Sequence, residues 1–200
     1  SGASQYVSAS QGNDTLIGIE NVLGSAYADT FKGNNAVSNI FNGGTSNLDA
    51  ALNSTTGEFT SDESDTVDYS SSTSSIVVNL NANNVVIGGT VTDYLYNIEH
   101  VIGTAQDDTF TGNSDNNSLV GGAGNDTFYI IDVNNGNDVI EGDTSAGNVG
   151  LRDTIDYSAI SNTYYLDADL SSNTLVIKQT SDSTSVDSDT VNNIEDIVGT

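Results

Sequence analysis

The chain has 200 residues, and 28 Asp and Glu face only three basic residues, Lys32, Arg152 and Lys178, for a formal net charge of -25. That excess excludes nucleic acid, which needs basic side chains to displace phosphate counterions, and disfavours anionic membrane surfaces. With no Cys there is neither a disulfide framework nor a thiolate metal site, and no run of about 18 apolar residues offers a helix for membrane insertion.

Self-repulsion on this scale opposes a compact state unless bound cations offset it. Short β-branched and aromatic runs, Ser75-Ile-Val-Val-Asn-Leu80 and Asp126-Thr-Phe-Tyr-Ile-Ile131, argue for order rather than disorder. The absence of Met and the start at Ser1 read as a segment of a longer protein, and no signal-peptide pattern is present.

Taken in chain order, residues 1–44 read as a partial repeat. Gly12-Asn-Asp14-Thr-Leu16 is a short turn-and-strand unit, followed by Ile19-Glu20-Asn-Val22-Leu-Gly24 and Asp29-Thr-Phe-Lys-Gly33-Asn34. The next unit has ten residues, with Asn39 where an aspartate is expected. Residues 45–64 read as an inserted loop, which leaves Leu48 at the sixth position of its unit and argues against a standard site there.

A full repeat follows over 65–142. It opens with Asp65-Thr-Val-Asp68-Tyr-Ser70, continues through two apolar runs, and reaches Ile98-Glu99-His-Val101-Ile-Gly103. Three consecutive nine-residue units come next, beginning at Gly103, Gly112 and Gly121; the last, Gly121-Gly122-Ala-Gly124-Asn-Asp126-Thr-Phe128-Tyr, fits G-G-x-G-x-D-x-U-x throughout. A partial unit stands at Gly136-Asn-Asp138-Val-Ile140. The third repeat, over 143–200, is also partial: Asp153-Thr-Ile-Asp156-Tyr-Ser158 and Ile194-Glu195-Asp-Ile197-Val-Gly199 restate the earlier blocks. Glu20, Glu99 and Glu195 are separated by 79 and then 96 residues, so variable loops interrupt one continuous solenoid.

The chemistry follows from the positions. Glycines permit tight turns whose carbonyls converge, here those of Gly103, Ala105, Gly121, Gly122 and Gly124. The sixth residue sets a carboxylate over the turn, and the eighth (Phe110, Leu119 or Phe128) points inward from a very short strand. Two units make one coil, so Asp108 and Asp126, 18 apart, stack. Carboxylates and carbonyls form the all-oxygen cage that Ca2+ prefers, and hard ligands argue against zinc or copper. Further candidate ligands are Asp14, Asp29, Asp65, Asp138 and Asp153. Asn117 occupies a sixth position, which weakens any site on the opposite face, and the recurring glutamates fit a hydrogen bond to a neighbouring coil as well as they fit a metal.

These residues resemble the RTX family, the hemolysin-type calcium-binding repeats, most specifically across Gly103 to Tyr129. The resemblance implies an all-β parallel β-roll or β-helix with inserted loops, calcium in the turns, and export by a one-step secretion system. The chain thus reads as ordered in calcium and disordered without it.

The expected function is non-catalytic: a calcium-binding structural module of an exported bacterial cell-surface protein, a surface layer or adhesin, that folds and assembles on Ca2+. The alternative is a calcium-binding module of a secreted protease, lipase or polysaccharide epimerase. A catalytic β-helix of the lyase kind needs clustered Lys or Arg near the metal, and the three basic residues lie far apart in sequence. His100, the single histidine, anchors neither a transition-metal site nor a triad. Repeats cut at both ends imply open strand edges and end-to-end self-association, or stacking on neighbouring repeats.

Overall fold

The computed structural model describes residues 5–6, 20–25, 28–33, 37–44, 64–131, 133, 136–143, 151–169, 171–182 and 184–199. Within them the chain forms, in order, β1 (Gln5–Tyr6), β2 (Asn21–Leu23), β3 (Thr30–Lys32), β4 (Ile40–Asn42), β5 (Thr66–Asp68), β6 (Ile76–Asn79), β7 (Asn84–Ile87), β8 (Val91–Tyr96) and β9 (His100–Ile102). There follow β10 (Thr109–Thr111), β11 (Ser118–Gly122), β12 (Thr127–Tyr129), β13 (Val139–Asp143), β14 (Thr154–Asp156), β15 (Tyr164–Asp169), β16 (Thr174–Gln179), β17 (Ser185–Asn192) and β18 (Asp196–Val198). No helix among the described residues is long and apolar enough to cross a membrane.

The strands fall into two sheets. One runs β1-β2-β4-β8-β7-β6-β10-β12-β14-β18, the other β3-β5-β9-β11-β13-β17-β16-β15. Successive short strands alternate between the sheets, and each pairs in parallel with the strand one coil away. This is the all-β parallel β-roll that the repeats imply. The 18-residue coil is explicit: Thr109, Phe110 and Thr111 lie opposite Thr127, Phe128 and Tyr129.

Most three-residue strands bury their central side chain, because the flanking residues are polar and the ends are turns; in β2 and β18 the central residue is only partly buried. In the first sheet Val78, Phe110, Phe128, Ile155 and Ile197 stand in one row; in the second, Phe31, Val67, Val101, Leu119, Ile140 and Val191. Phe110 and Phe128 are fully buried and stack with centroids 5.0 Å apart, within the range favourable for aromatic pairs.

The roll departs from a purely parallel one twice. In the repeats over 65–142 and 143–200 the two apolar runs and the strand that follows them form a three-stranded antiparallel meander, β6-β7-β8 in the first sheet and β15-β16-β17 in the second. Gly88 and Gly89, both at positive φ, close the β7–β8 hairpin with a bond from the Thr90 N–H to the Ile87 carbonyl at 3.2 Å. Left-handed asparagines recur in matching places, Asn83 with Asn173 and Asn97 with Asn193. The meanders are thus one device used twice, on opposite sheets.

Candidate metal centre

Along each edge where the chain enters a sheet, carboxylates form a ladder. Asp126 Oδ1 accepts the Asp108 N–H at 2.8 Å, Asp153 Oδ1 accepts the Asp126 N–H at 2.8 Å, and Glu195 Oε2 accepts the Asp153 N–H at 2.9 Å. Asp108 Oδ1 accepts the Ile76 N–H at 2.8 Å. On the other edge Asp65 accepts from Asp29, Glu99 from Asp65, Asp138 from Asn117, and Asp189 from Asp138. Each side chain so satisfies a main-chain donor of the coil before it, where a strand begins and no ladder partner is available.

The second carboxylate oxygen lies over the glycine that opens the turn. A Cβ on Gly121 would stand 2.2 Å from Asp126 Oδ2 and 2.8 Å from the Gly142 carbonyl. One on Gly103 would stand 2.7 Å from Asp108 Oδ2 and 2.1 Å from the Gly121 carbonyl. Gly24, Gly43 and Gly142 repeat this arrangement with Asp29, Asp65 and Asp153. Gly122 and Gly124 take positive φ, 115° and 130°, and back onto Thr104 and Gln106 of the preceding turn. Only glycine leaves room for a carboxylate and a carbonyl to meet here.

The oxygens differ in what they hold. Asp108 Oδ2 accepts the Thr104 N–H at 2.6 Å, and Oδ1 also takes the Thr104 hydroxyl at 3.1 Å. Asp126 Oδ2 and Asp153 Oδ2 are buried and have no hydrogen-bond partner among the described residues. Burial, together with the neighbouring charges of Asp108, Asp153 and Asp107, pushes the Asp126 carboxyl up to about 7. Burial and the charges of Asp143 and Glu195 push Asp153 to about 6; burial also raises Asp108.

Basic side chains do not reach these oxygens. Lys32 pairs with Asp68, Arg152 with Asp196 and Lys178 with Asp167, all toward the surface. Buried anionic oxygens, facing carbonyls and lacking a counter-charge, fit a hard divalent cation. No three Asp, Glu or His side chains converge as a closed cage among the described residues. An ion at these turns would therefore take much of its coordination from main-chain oxygens.

The structure groups the sequence candidates unevenly. Asp108, Asp126 and Asp153 share one ladder; Asp29, Asp65 and Asp138 belong to the other edge. Gly103 and Gly121 lie under carboxylates, while Ala105 is exposed and its carbonyl accepts the Gln106 side-chain amide at 2.9 Å. Asp14 and Leu48 lie outside the described residues. Asp65 takes, from beyond residues 45–64, the seat over Gly43 that counting had given to Leu48. Glu99 and Glu195 make the inter-coil hydrogen bonds that their recurrence allowed. Asn117 fills the same seat without charge, its Oδ1 accepting the Asn113 N–H at 2.9 Å.

Sequence reasoning missed Asp93 and Asp189, which accept from the buried Tyr69 and Tyr157 hydroxyls, each at 2.9 Å. The signal was present in the tyrosine of each Asp-Thr-x-Asp-Tyr-Ser block. Alternation within β8 and β17 also placed an aspartate on the apolar face.

The family model of the RTX calcium-binding nonapeptide repeat (4 copies) matches residues 97–129. No curated protein matches the chain. The match spans β9 to β12 and includes the turns of Gly103 and Gly121, where carboxylates and carbonyls meet. Residues 97–129 are thus an RTX calcium-binding repeat segment, set within a β-roll whose coils continue on both sides of it.

Proposed function

We propose that this chain is a non-catalytic, calcium-dependent structural module of an exported bacterial cell-surface protein of the surface-layer or adhesin kind. One observation carries the reading: the buried, unpartnered Oδ2 atoms of Asp126 and Asp153 face turn carbonyls in a chain of net charge -25 whose cations are engaged elsewhere. Asp126, Asp153 and the carbonyls of the glycine turns hold the ion, and Asp108 supports the first turn through Thr104. Bound calcium supplies positive charge that offsets carboxylate repulsion; the ladder of N–H to carboxylate bonds then fixes each coil on the next.

Assembly fits the same reading. Tyr164, Leu166, Ile194 and Ile197 are only partly buried against the core, where β15 and β18 each pair on one side alone among the described residues. That end offers apolar side chains and strand edges to a neighbouring repeat or a second copy. Export before folding suits a module whose order depends on extracellular calcium.

Calorimetric titration with calcium, paired with circular dichroism in excess chelator, tests the proposal. Binding accompanied by a gain of β-structure is expected. A spectrum unchanged by chelation would remove the calcium-dependent role.

A further inference from the structure

The two meanders provide an internal comparison. In both, the tyrosine of the opening block donates to an aspartate on the third strand, Tyr69 to Asp93 and Tyr157 to Asp189. In both, that aspartate accepts the N–H of the residue before the neighbouring parallel strand, Asn39 or Asp138. The surroundings then diverge. Two residues before Asp93 stands Val91, half-buried; two residues before Asp189 stands Asp187, 6% exposed. Asn39 in the first meander is Asp138 in the second. One carboxylate has become three, and all three are buried.

Asp187 belongs to no nonapeptide and no ladder. Its Oδ1 accepts the Ser188 N–H at 2.8 Å, whereas its Oδ2 is buried without a hydrogen-bond partner among the described residues. It lies opposite Ile177 on β16 and on the same inward face as Asp189. Tyr157 is within electrostatic reach of Asp189, Asp187 and Asp138. The basic residues are paired at the surface, so none serves this pocket. Replacing a valine by an aspartate inside a packed meander costs stability unless the charge is met.

We infer that Asp187 and Asp189, neighbours on the inward face of β17, form a second kind of cation site in the β15-β16-β17 meander, separate from the glycine turns. Its ion is a hard divalent cation, Ca2+ by the all-oxygen surroundings, with main-chain oxygens and water completing the shell. The site pins the inward face of β17 to Tyr157 and so docks the second meander.

The test uses the whole chain with two variants, Asp187→Val, which installs the residue of the first meander, and Asp187→Asn, which keeps the shape and removes the charge. Calcium stoichiometry is read by calorimetry, and terbium luminescence excited through tyrosine reports an ion near Tyr157. Both variants are expected to bind one calcium fewer and to lose a tyrosine-sensitised terbium component, and to be stabilised less by calcium than the parent. Asp126→Ala should lower turn binding yet keep that component, which separates failure of this inference from failure of the turn reading. Unchanged stoichiometry and luminescence in the Asp187 variants, with equal stability gains with and without calcium, would overturn it: Asp187 would then be a buried protonated carboxyl. Should Asp187→Val not fold, Asp187→Asn gives the same two outcomes.

Discussion

Under the proposed function the residues at the sixth position carry the chemistry, and their expected contributions separate. Asp126→Ala removes an uncommitted buried oxygen, so calcium affinity should fall far more than in Asp115→Ala, whose side chain is exposed and off that position. Equal affinities by calorimetry would contradict the register. Gly121→Ala should mimic Asp126→Ala, since its Cβ would meet Asp126 Oδ2 at 2.2 Å; Gly199→Ala, with no atom within 4 Å, serves as its control. Phe128→Ala acts through packing and should cost about 3–5 kcal/mol in urea unfolding. Much of this was legible in the sequence, because position in a nonapeptide dictates which way a side chain points: Phe110, Leu119 and Phe128 are all buried as the pattern requires. The difference between Asp108 and Asp126 was not legible. It depends on Thr104, which saturates one carboxylate and has no counterpart in the motif.

At the scale of elements, the tyrosine–aspartate pairs hold each meander to the roll. Tyr157→Phe leaves Asp189 without its buried donor, and a loss of about 1–3 kcal/mol is expected in denaturant unfolding. A variant as stable as the parent would show that the pair is incidental. The meanders themselves were hidden in the sequence. Runs such as Ile76-Val-Val-Asn79 and Asn84-Val-Val-Ile87 alternate with a period of two, whether strands lie parallel or antiparallel. Gly88-Gly89 was the one local hairpin signal in the first copy. Asp65 was named from its own block, but its seat over Gly43 was not: a loop inserted between a glycine and its aspartate breaks the nine-residue spacing without moving the seat.

For the whole molecule, charge is the controlling quantity. Burial first, then neighbouring carboxylates, raises Asp126 and Asp187 to about 7; burial raises Asp153 and Asp189 to about 6. The folded state therefore binds protons that the unfolded chain has released, and metal-free stability falls as pH rises through about 6 to 7. Lowered carboxylates such as Asp68 and Asp196 oppose this weakly, being at the surface and screened. In chelator, residual β-structure by circular dichroism should be greater at about pH 5 than at about pH 8; the reverse order would contradict the burial argument. In the proposed role, calcium acts on the same oxygens. A site with Kd near ~10⁻⁴ M adds about 1.4 kcal/mol at millimolar calcium and close to nothing at submicromolar levels. A few coupled sites then supply a large share of a typical stability of about 5–15 kcal/mol. The absence of proline from the sequence removes any prolyl isomerisation step of about 10–100 s from its folding. Amide hydrogen exchange across a calcium titration addresses this account most directly. Amides of Phe110, Phe128 and Ile155 should be unprotected at submicromolar calcium and become protected together as calcium reaches millimolar; protection already complete at submicromolar calcium would show that the ion only decorates a folded roll.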